Sequence, residues 1–470
     1  MQVSLILLLT SIFVKTHADF NRLSARISEA LQGKDDVEVI ISPGVYYFQE
    51  NHLSLQNLQY PDQKVVIRCD GAVFLPAGSG PVEWTDVYID PVTLRSFSHL
   101  SEVKQVLRRP EIVDAKTGLC RVKTREKPLS SAKAHGKKLI LTQWYTSGVY
   151  DLVKIERNYL YFKADKVTSD GNPQFDPDSD YKYGRVLPRY VLADVSALPE
   201  GLHRGTASRF LTVSASNLKA FSLSGGHFIG NGGKDCLIQF YRCTADSISV
   251  SQCRFDHIHG PVVQTQYSSH LRFHGNRVSH CWRSGVTIDY FSSDAVVADN
   301  SFEQTGELMM QDFAVLARGS DFDIRNNLFC DFAYSAVGVG THYRESIPAS
   351  SSGFVRDNEL YCSDGFNRGL MDSGAIYVYT INKDVSIIGN YIHDIGGYGD
   401  NRGIFCDDGT VNVSILNNRV LRIRNSYCID LRRVASVEKD PRSAIRKVNV
   451  GNRMEGNVID GRVRFVNRDE

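Results

Sequence analysis

From Leu218 to the C-terminus the chain repeats one arrangement of apolar and polar positions: a short apolar strand, a turn, then a second strand in which Asn is followed two positions later by an apolar residue. The copies are Gly275-Asn276-Arg277-Val278, Asp299-Asn300-Ser301-Phe302, Asn326-Asn327-Leu328-Phe329, Asp357-Asn358-Glu359-Leu360, Gly389-Asn390-Tyr391-Ile392, Asn417-Asn418-Arg419-Val420 and Gly456-Asn457-Val458-Ile459. Successive asparagines fall 24, 27, 31, 32, 28 and 39 residues apart. Strand-only repeats of that length predict the coils of a β-solenoid, in which asparagines at one turn stack along the axis and satisfy each other's amides. Upstream, Leu23, Ile27, Ala30 and Leu31 mark a short amphipathic helix ending at Gly33, placed to cap the open end of the stack, and Val37 to Phe48 reads as a strand broken by Ser42-Pro43-Gly44. Between about Gly80 and Asp194 the repeat is absent. Strand patterns at Lys138 to Thr142, Val149 to Ile155 and Leu160 to Lys163 predict an inserted β subdomain there. The expected domain order is therefore a leader at 1–18, cap and first coils at 19–79, the insert at 80–194 and the main solenoid at 195–470.

The leader is read from Val3 to Val14, an apolar run too short to span a bilayer, followed by Thr16-His17-Ala18 before Asp19. Cleavage after Ala18 would deliver the protein to the periplasm or the outside, and a buried first strand is the alternative. No later apolar run reaches ~18 residues, so no membrane span is expected. Composition narrows the function further. With 54 Lys+Arg against 53 Asp+Glu the formal charge is +1, so no strong field is available to hold a nucleic acid. The ten cysteines form no CxxC pair or compact framework and read mainly as small core residues.

Aligning the strand before each asparagine on its small first residue (Gly285, Ala314, Ala336, Ala375, Gly403, Cys428) gives the solenoid a readable face. Side chains alternate along a strand, so Val286/Ile288, Val315/Ala317, Val337/Val339, Ile376/Val378, Ile404/Cys406 and Ile429/Leu431 should point inward. One outward column is then Asp289, Arg318, Gly340, Tyr379, Asp407 and Arg432; beside it run Thr287, Leu316, Gly338, Tyr377, Phe405 and Asp430. Acids, arginines and aromatics around two glycines suit a groove for a polysaccharide or oligosaccharide: rings stack on sugars, charged groups bond hydroxyls, and Gly338 and Gly340 leave room.

The helix-capped Ile41-Ser42-Pro43-Gly44-Val45-Tyr46-Tyr47 start, the asparagine ladder and the short strands resemble the right-handed parallel β-helix of the pectate-lyase-like superfamily. The fold class expected is thus all-β, a right-handed parallel β-helix with an N-terminal capping helix and an inserted small β subdomain. The words Asp372-Ser373-Gly374-Ala375-Ile376-Tyr377, Asn390-Tyr391-Ile392-His393-Asp394-Ile395 and Gly403-Ile404-Phe405-Cys406-Asp407-Asp408-Gly409 are similar to those of β-helix glycosidases of glycoside hydrolase family 141. In that family the catalytic carboxylates fall in the first and third words, which match Asp372 and the Asp407-Asp408 pair; Phe405-Cys406 departs from the usual Tyr-Leu.

Glycoside hydrolysis asks independently for two carboxylates, one to protonate the leaving oxygen and one to activate water or attack carbon. Asp289 and Asp407 share a column but lie four coils apart, roughly 19 Å, too far to act together. Asp372 and Asp407 lie on neighbouring coils at different offsets, and a diagonal of roughly 7–8 Å would favour inversion. Asp408 would raise a neighbour's pKa by like-charge repulsion or serve as a turn residue, and Asp400 is a candidate closer partner of Asp372. Arg318, Tyr377, Tyr379, Arg432, Asp289 and His342, which opens a loop beside the groove, are candidate substrate contacts. His393 reads as structural. His257, His259, His270, His274 and His280 alternate in direction, so no metal site is expected. The hydrolase needs no metal or organic cofactor. The alternatives are a polysaccharide lyase or epimerase acting on a uronate, which would use Arg318 with Tyr379 or His342 and could require Ca²⁺, and a non-catalytic carbohydrate-binding solenoid.

Overall fold

The structure, a computed structural model, describes residues 9–77 apart from 34, the strands between 80 and 204, and residues 209–466 apart from 232–234, 282, 307–311, 342–350, 364–372, 380–381, 396–400, 408, 425 and 433–448. Each coil lays one strand on each of three parallel sheets. In the coil that starts at Asn217–Ser224 the chain turns to His227–Ile229 and then to Ile238–Tyr241, and these three strands belong to the first, second and third sheets. The first sheet has 12 strands and the other two have 11 each, with neighbours one coil apart. This is the right-handed parallel β-helix the repeat predicts.

The asparagines occupy the turn between the first and second sheets. Each Nδ2 donates to the Oδ1 of the next asparagine at 2.9–3.1 Å, from Asn276 through Asn300, Asn327, Asn358, Asn390 and Asn418 to Asn457. The same Oδ1 also accepts the backbone N–H of the preceding asparagine, as at Asn327 to Asn358, 3.0 Å. The second Nδ2 proton reaches a strand carbonyl, as from Asn358 to Ile324, 2.9 Å. The residue before each asparagine has positive φ (Gly275 63°, Asp299 59°, Asn326 53°, Asp357 55°, Gly389 67°, Asn417 55°, Gly456 69°), which is why Gly, Asp or Asn stands there every time. Asn358→Ala would leave the buried Asn327 donors without their acceptor and is expected to cost about 2 kcal/mol. Asn457→Ala, at the half-buried end of the ladder, should cost less, and urea denaturation of both variants checks the difference.

The core is the filling of the prism. Phe228, Phe255, Phe273, Phe302 and Phe329 run down it with ring centroids 5.2, 6.1, 6.2 and 4.9 Å apart. Nine of the ten cysteines are buried, and burial pushes the Cys406 thiol up to about 12. The helix Leu23–Gln32 buries Leu23, Ile27 and Leu31 at the N-terminal end and stops at Gly33, as expected for a cap. Ahead of it, Leu9–Val14 pairs in parallel with Asp36–Ile41 as the edge strand of the first sheet, with Ile12 and Val14 buried. Thr16 then caps a short helix, His17–Asn21, by a reciprocal bond with Asp19. In this structure Leu9–Val14, within the segment read as a leader, is therefore placed as a first strand, the alternative reading of that run.

The insert leaves the coil between Ala72–Pro76 on the second sheet and Leu211–Ser214 on the third. Its strands form a seven-stranded antiparallel sheet from Glu83–Thr85 to Tyr190–Asp194. Thr146–Glu156 and Tyr159–Lys163 pair across Arg157, which has φ 53°. Among the described residues no helix is long and apolar enough to cross a membrane.

Candidate active site on the third sheet

The third sheet carries the face read from the sequence. Its register aligns Ile288, Ala317, Val339, Val378, Cys406 and Leu431, so the residues that follow them, Asp289, Arg318, Gly340, Tyr379, Asp407 and Arg432, form one column. The inward partners from Val286/Ile288 to Ile429/Leu431 are all buried in the core.

The second outward column differs from the open groove expected. Thr287, Leu316, Tyr377, Phe405 and Asp430 are all buried, and Gly338 makes room for a protein ring rather than a sugar: a Cβ there would lie 2.4 Å from the Phe313 ring. The cause is a kink repeated in step on each coil. The small first residue turns inward along with its successor, as shown by Ala314 and Val315 both lying in the core, and by Gly285 and Gly403, where a Cβ would strike the core side chains Phe302 and Val420 at 2.6 and 2.4 Å. The residue before it, Phe313 or Arg402, is thereby thrown onto the outer face. Phe313, Tyr334, Tyr377, Phe405 and the half-buried Tyr379 then cover one another. Tyr377 lies 4.7 Å from Tyr379 and 5.0 Å from Phe405, ring to ring.

Asp407 sits at the edge of this aromatic floor. Its N–H donates to Val378 O at 3.0 Å, which fixes it beside Tyr379, and its side chain is only 9% exposed. Tyr377 Oη donates to Asp407 Oδ2 at 2.5 Å, reaching diagonally from the previous coil. Arg432, on the following coil, donates to Oδ1 from Nη2 at 2.6 Å and from Nε at 3.2 Å. Both oxygens thus accept from the protein, which fixes the orientation of the carboxylate beside the aromatic floor.

Beneath lies an ion cluster that the sequence reading missed. Asp430 is fully buried; Oδ2 accepts from Arg402 Nε at 2.6 Å, and Arg464 donates to Oδ1 and Oδ2 at 2.6 and 2.7 Å. The Arg402 and Arg432 guanidinium carbons lie 3.8 and 4.9 Å from the Phe405 ring centroid. A ring without a hydroxyl needs no polar partner in that place, which is the physical sense of Phe405 in the third word.

Further along the column Asp289 and Arg318 pair at 3.8 Å, with Arg318 also over the Tyr290 ring at 5.0 Å. Asp372, Asp400, Asp408 and His342 lie outside the described residues. His393 sits on the second sheet, between Asp394 (2.6 Å) and Glu359 (3.2 Å), away from this face. His257 and His280 stack at 4.8 Å, and His270 bonds the Ala245 carbonyl at 2.6 Å. Among the described residues no group of three or more His, Cys, Asp or Glu side chains is placed to hold a metal.

Residues 213–342 match the family model for a right-handed β-helix region. A solved structure described as a glycoside hydrolase is 13% identical, with 96% of each chain covered and a TM-score of 0.51. The A-module of the Azotobacter vinelandii mannuronan C-5 epimerase AlgE4 is 11% identical, covering 95% of this chain and 85% of its own, with a TM-score of 0.46. No curated protein matches the chain. The family-model match and the likeness to the glycoside hydrolase structure agree with the β-helix fold; the narrower likeness to glycoside hydrolase family 141 stands on the three sequence words alone.

Proposed function

We propose that the protein is an exported glycan-active enzyme, a glycoside hydrolase whose reaction centre is the Asp407 carboxylate. The observation that carries this reading is the setting of Asp407: nearly buried, beside an aromatic floor, with Tyr377 and Arg432 both donating to it. In this reading Asp407 is the base or nucleophile and Asp372 the acid that protonates the leaving oxygen, with Asp400 or Asp408 adjusting the charge around them. Tyr377 and Arg432 hold the carboxylate in orientation, while Tyr379, Arg318 and Asp289 contact neighbouring sugar units. The β-helix likeness to a glycoside hydrolase agrees with this but does not choose the reaction.

One feature favours a second reading. A phenol and a guanidinium flanking one carboxylate are also what proton abstraction beside a uronate carboxylate requires, with Arg432 neutralising the substrate and Tyr377 handling the proton. A lyase or epimerase of that kind could add Ca²⁺. The test is product analysis on neutral and uronate glycans, with and without EDTA. New reducing ends without an unsaturated chromophore support hydrolysis; ends that appear together with ultraviolet absorbance mean β-elimination; neither, with solvent deuterium entering the sugar, means epimerisation. N-terminal sequencing of the secreted protein checks export and cleavage after Ala18.

A further inference from the structure

Away from Asp407, at the corner where the third sheet ends, three coils place bulky side chains on backbone of positive φ: Arg242 (48°), Tyr267 (53°) and Phe291 (59°). For such residues this conformation is strained, and nothing local such as Gly, Asp or Asn relieves it. The strain holds a built surface. The Tyr267 and Phe291 rings stack at 5.0 Å and 11°, Tyr241 meets Tyr267 edge-on at 5.9 Å, and the Arg242 guanidinium lies 5.6 Å from the Tyr267 ring. Yet Tyr267 and Phe291 stay 41% and 55% exposed, among the most exposed large apolar side chains described.

The next coil explains why the stack ends there. Ile288 is level with Ala317, and Ser293 bridges Ser320. Tyr290, Phe291 and Ser292 on one coil are therefore matched by Gly319 alone on the next. Even a Cβ at Gly319 would meet Ser292 O at 2.2 Å, so the coil closes tightly without a side chain to lay over Phe291. The result is a ledge: a ring backed by Tyr267 and open on the side facing along the column toward Asp407. Asp289, joined to Arg318 at 3.8 Å, stands beside the ledge and belongs to the same column as Asp407.

We propose that the Tyr267–Phe291 ledge, with Asp289 and Arg318 at its side, is a distal binding site for an extended pyranose polymer whose chain runs along the third sheet to Asp407. An aromatic face for the ring carbons next to a carboxylate and a guanidinium for the hydroxyls is the chemistry of sugar binding, and the occupant is fixed by continuity with the candidate active site. The separation of four coils, roughly 19 Å, means that only a chain of several sugars reaches both places. This rests on the glycan reading of the face and adds a substrate class to it: long chains bind better than fragments.

The test is native electrophoresis of the full chain in gels cast with xylan, polygalacturonate or alginate. Wild type is retarded by at least one polymer; Phe291→Ala weakens that retardation roughly fivefold and Phe291→Trp restores it. Phe354→Ala, which removes a 45% exposed ring from the first sheet, leaves retardation unchanged. Equal retardation of wild type and Phe291→Ala, or no retardation of wild type by any polymer, overturns the proposal. The enzymatic reading is tested apart: if no glycan is turned over while Phe291→Ala still loses binding, the ledge stands and the activity falls. If glycan is cleaved and Phe291→Ala binds and cleaves polymer like wild type, the ledge falls and the activity stands.

Discussion

Asp407→Asn is expected to lower kcat on any accepted glycan by about 10²–10⁴-fold while leaving the fold intact. The asparagine keeps the size of the side chain and one acceptor, so Tyr377 can still donate, but it can neither take a proton nor attack carbon. Arg432 loses its carboxylate without being stranded, because its side chain is 29% exposed and can turn to water. The loss of stability should therefore stay near ~1 kcal/mol. Tyr377→Phe separates positioning from chemistry: if the phenol only orients Asp407, kcat falls less than in Asp407→Asn and the products are unchanged. If Tyr377 itself carries the proton of an elimination, the two variants lose comparable activity. An Asp407→Asn enzyme that retains more than a tenth of wild-type kcat would remove Asp407 from the reaction centre.

Much of this arrangement was legible in the chain because its physical causes are periodic. The ladder asparagines announce themselves since each must supply both donor and acceptor to its neighbours, and alternation placed Val286/Ile288 and their equivalents inward and Asp289 through Arg432 in one column. Parity fails at one step. The kink at Gly285, Ala314, Ala336, Ala375, Gly403 and Cys428 sends two successive residues inward, and a pattern of period two carries no sign of it. Phe313 and Arg402 consequently appear on the outer face, where they fill the space reserved for sugar at Gly338 and bury Asp430. The available signal was the smallness of that first residue: Gly or Ala recurring where an outward position would tolerate any side chain marks contact with core rings such as Phe302. Arg402 itself stood immediately before the third word and could have been suspected, since an arginine beside an inward-facing run needs a carboxylate, and Asp430 is the one two positions past the aligned Cys428. Aromatic ledges at corners are harder to read, because Tyr267 and Phe291 look like ordinary strand ends until the register shows that Gly319 follows them.

Asp430 and Asp407 lie on adjacent coils, yet their replacements should have opposite signatures. Asp430 is 0% exposed and Arg402 1% exposed, so the charges have been taken fully out of water and depend on each other. Asp430→Ala removes the carboxylate against which the buried Arg402 guanidinium is set, and a loss of about 3–5 kcal/mol is expected. Arg464→Ala should cost far less, since its side chain is 37% exposed and its removal leaves the Arg402–Asp430 pair in place. Replacing both buried partners, Arg402→Met with Asp430→Leu, exchanges the ion pair for apolar volume and should recover most of the loss. Urea denaturation of the four proteins measures this directly. A single Asp430→Ala variant within ~1 kcal/mol of wild type, or a double variant as unstable as the single, would show that the pair is not the support described. The support matters to function because the Phe405 ring touches both Arg402 and Arg432. When Asp430 is lost, the guanidinium beneath that ring loses a carboxylate that holds it, and the surface on which Arg432 rests beside Asp407 is loosened. Activity in the double variant then distinguishes the two contributions. If the two apolar replacements restore stability and also restore kcat, a packed floor under Phe405 is all that Arg432 needs. If stability returns without kcat, the buried charges themselves orient the residue that holds Asp407.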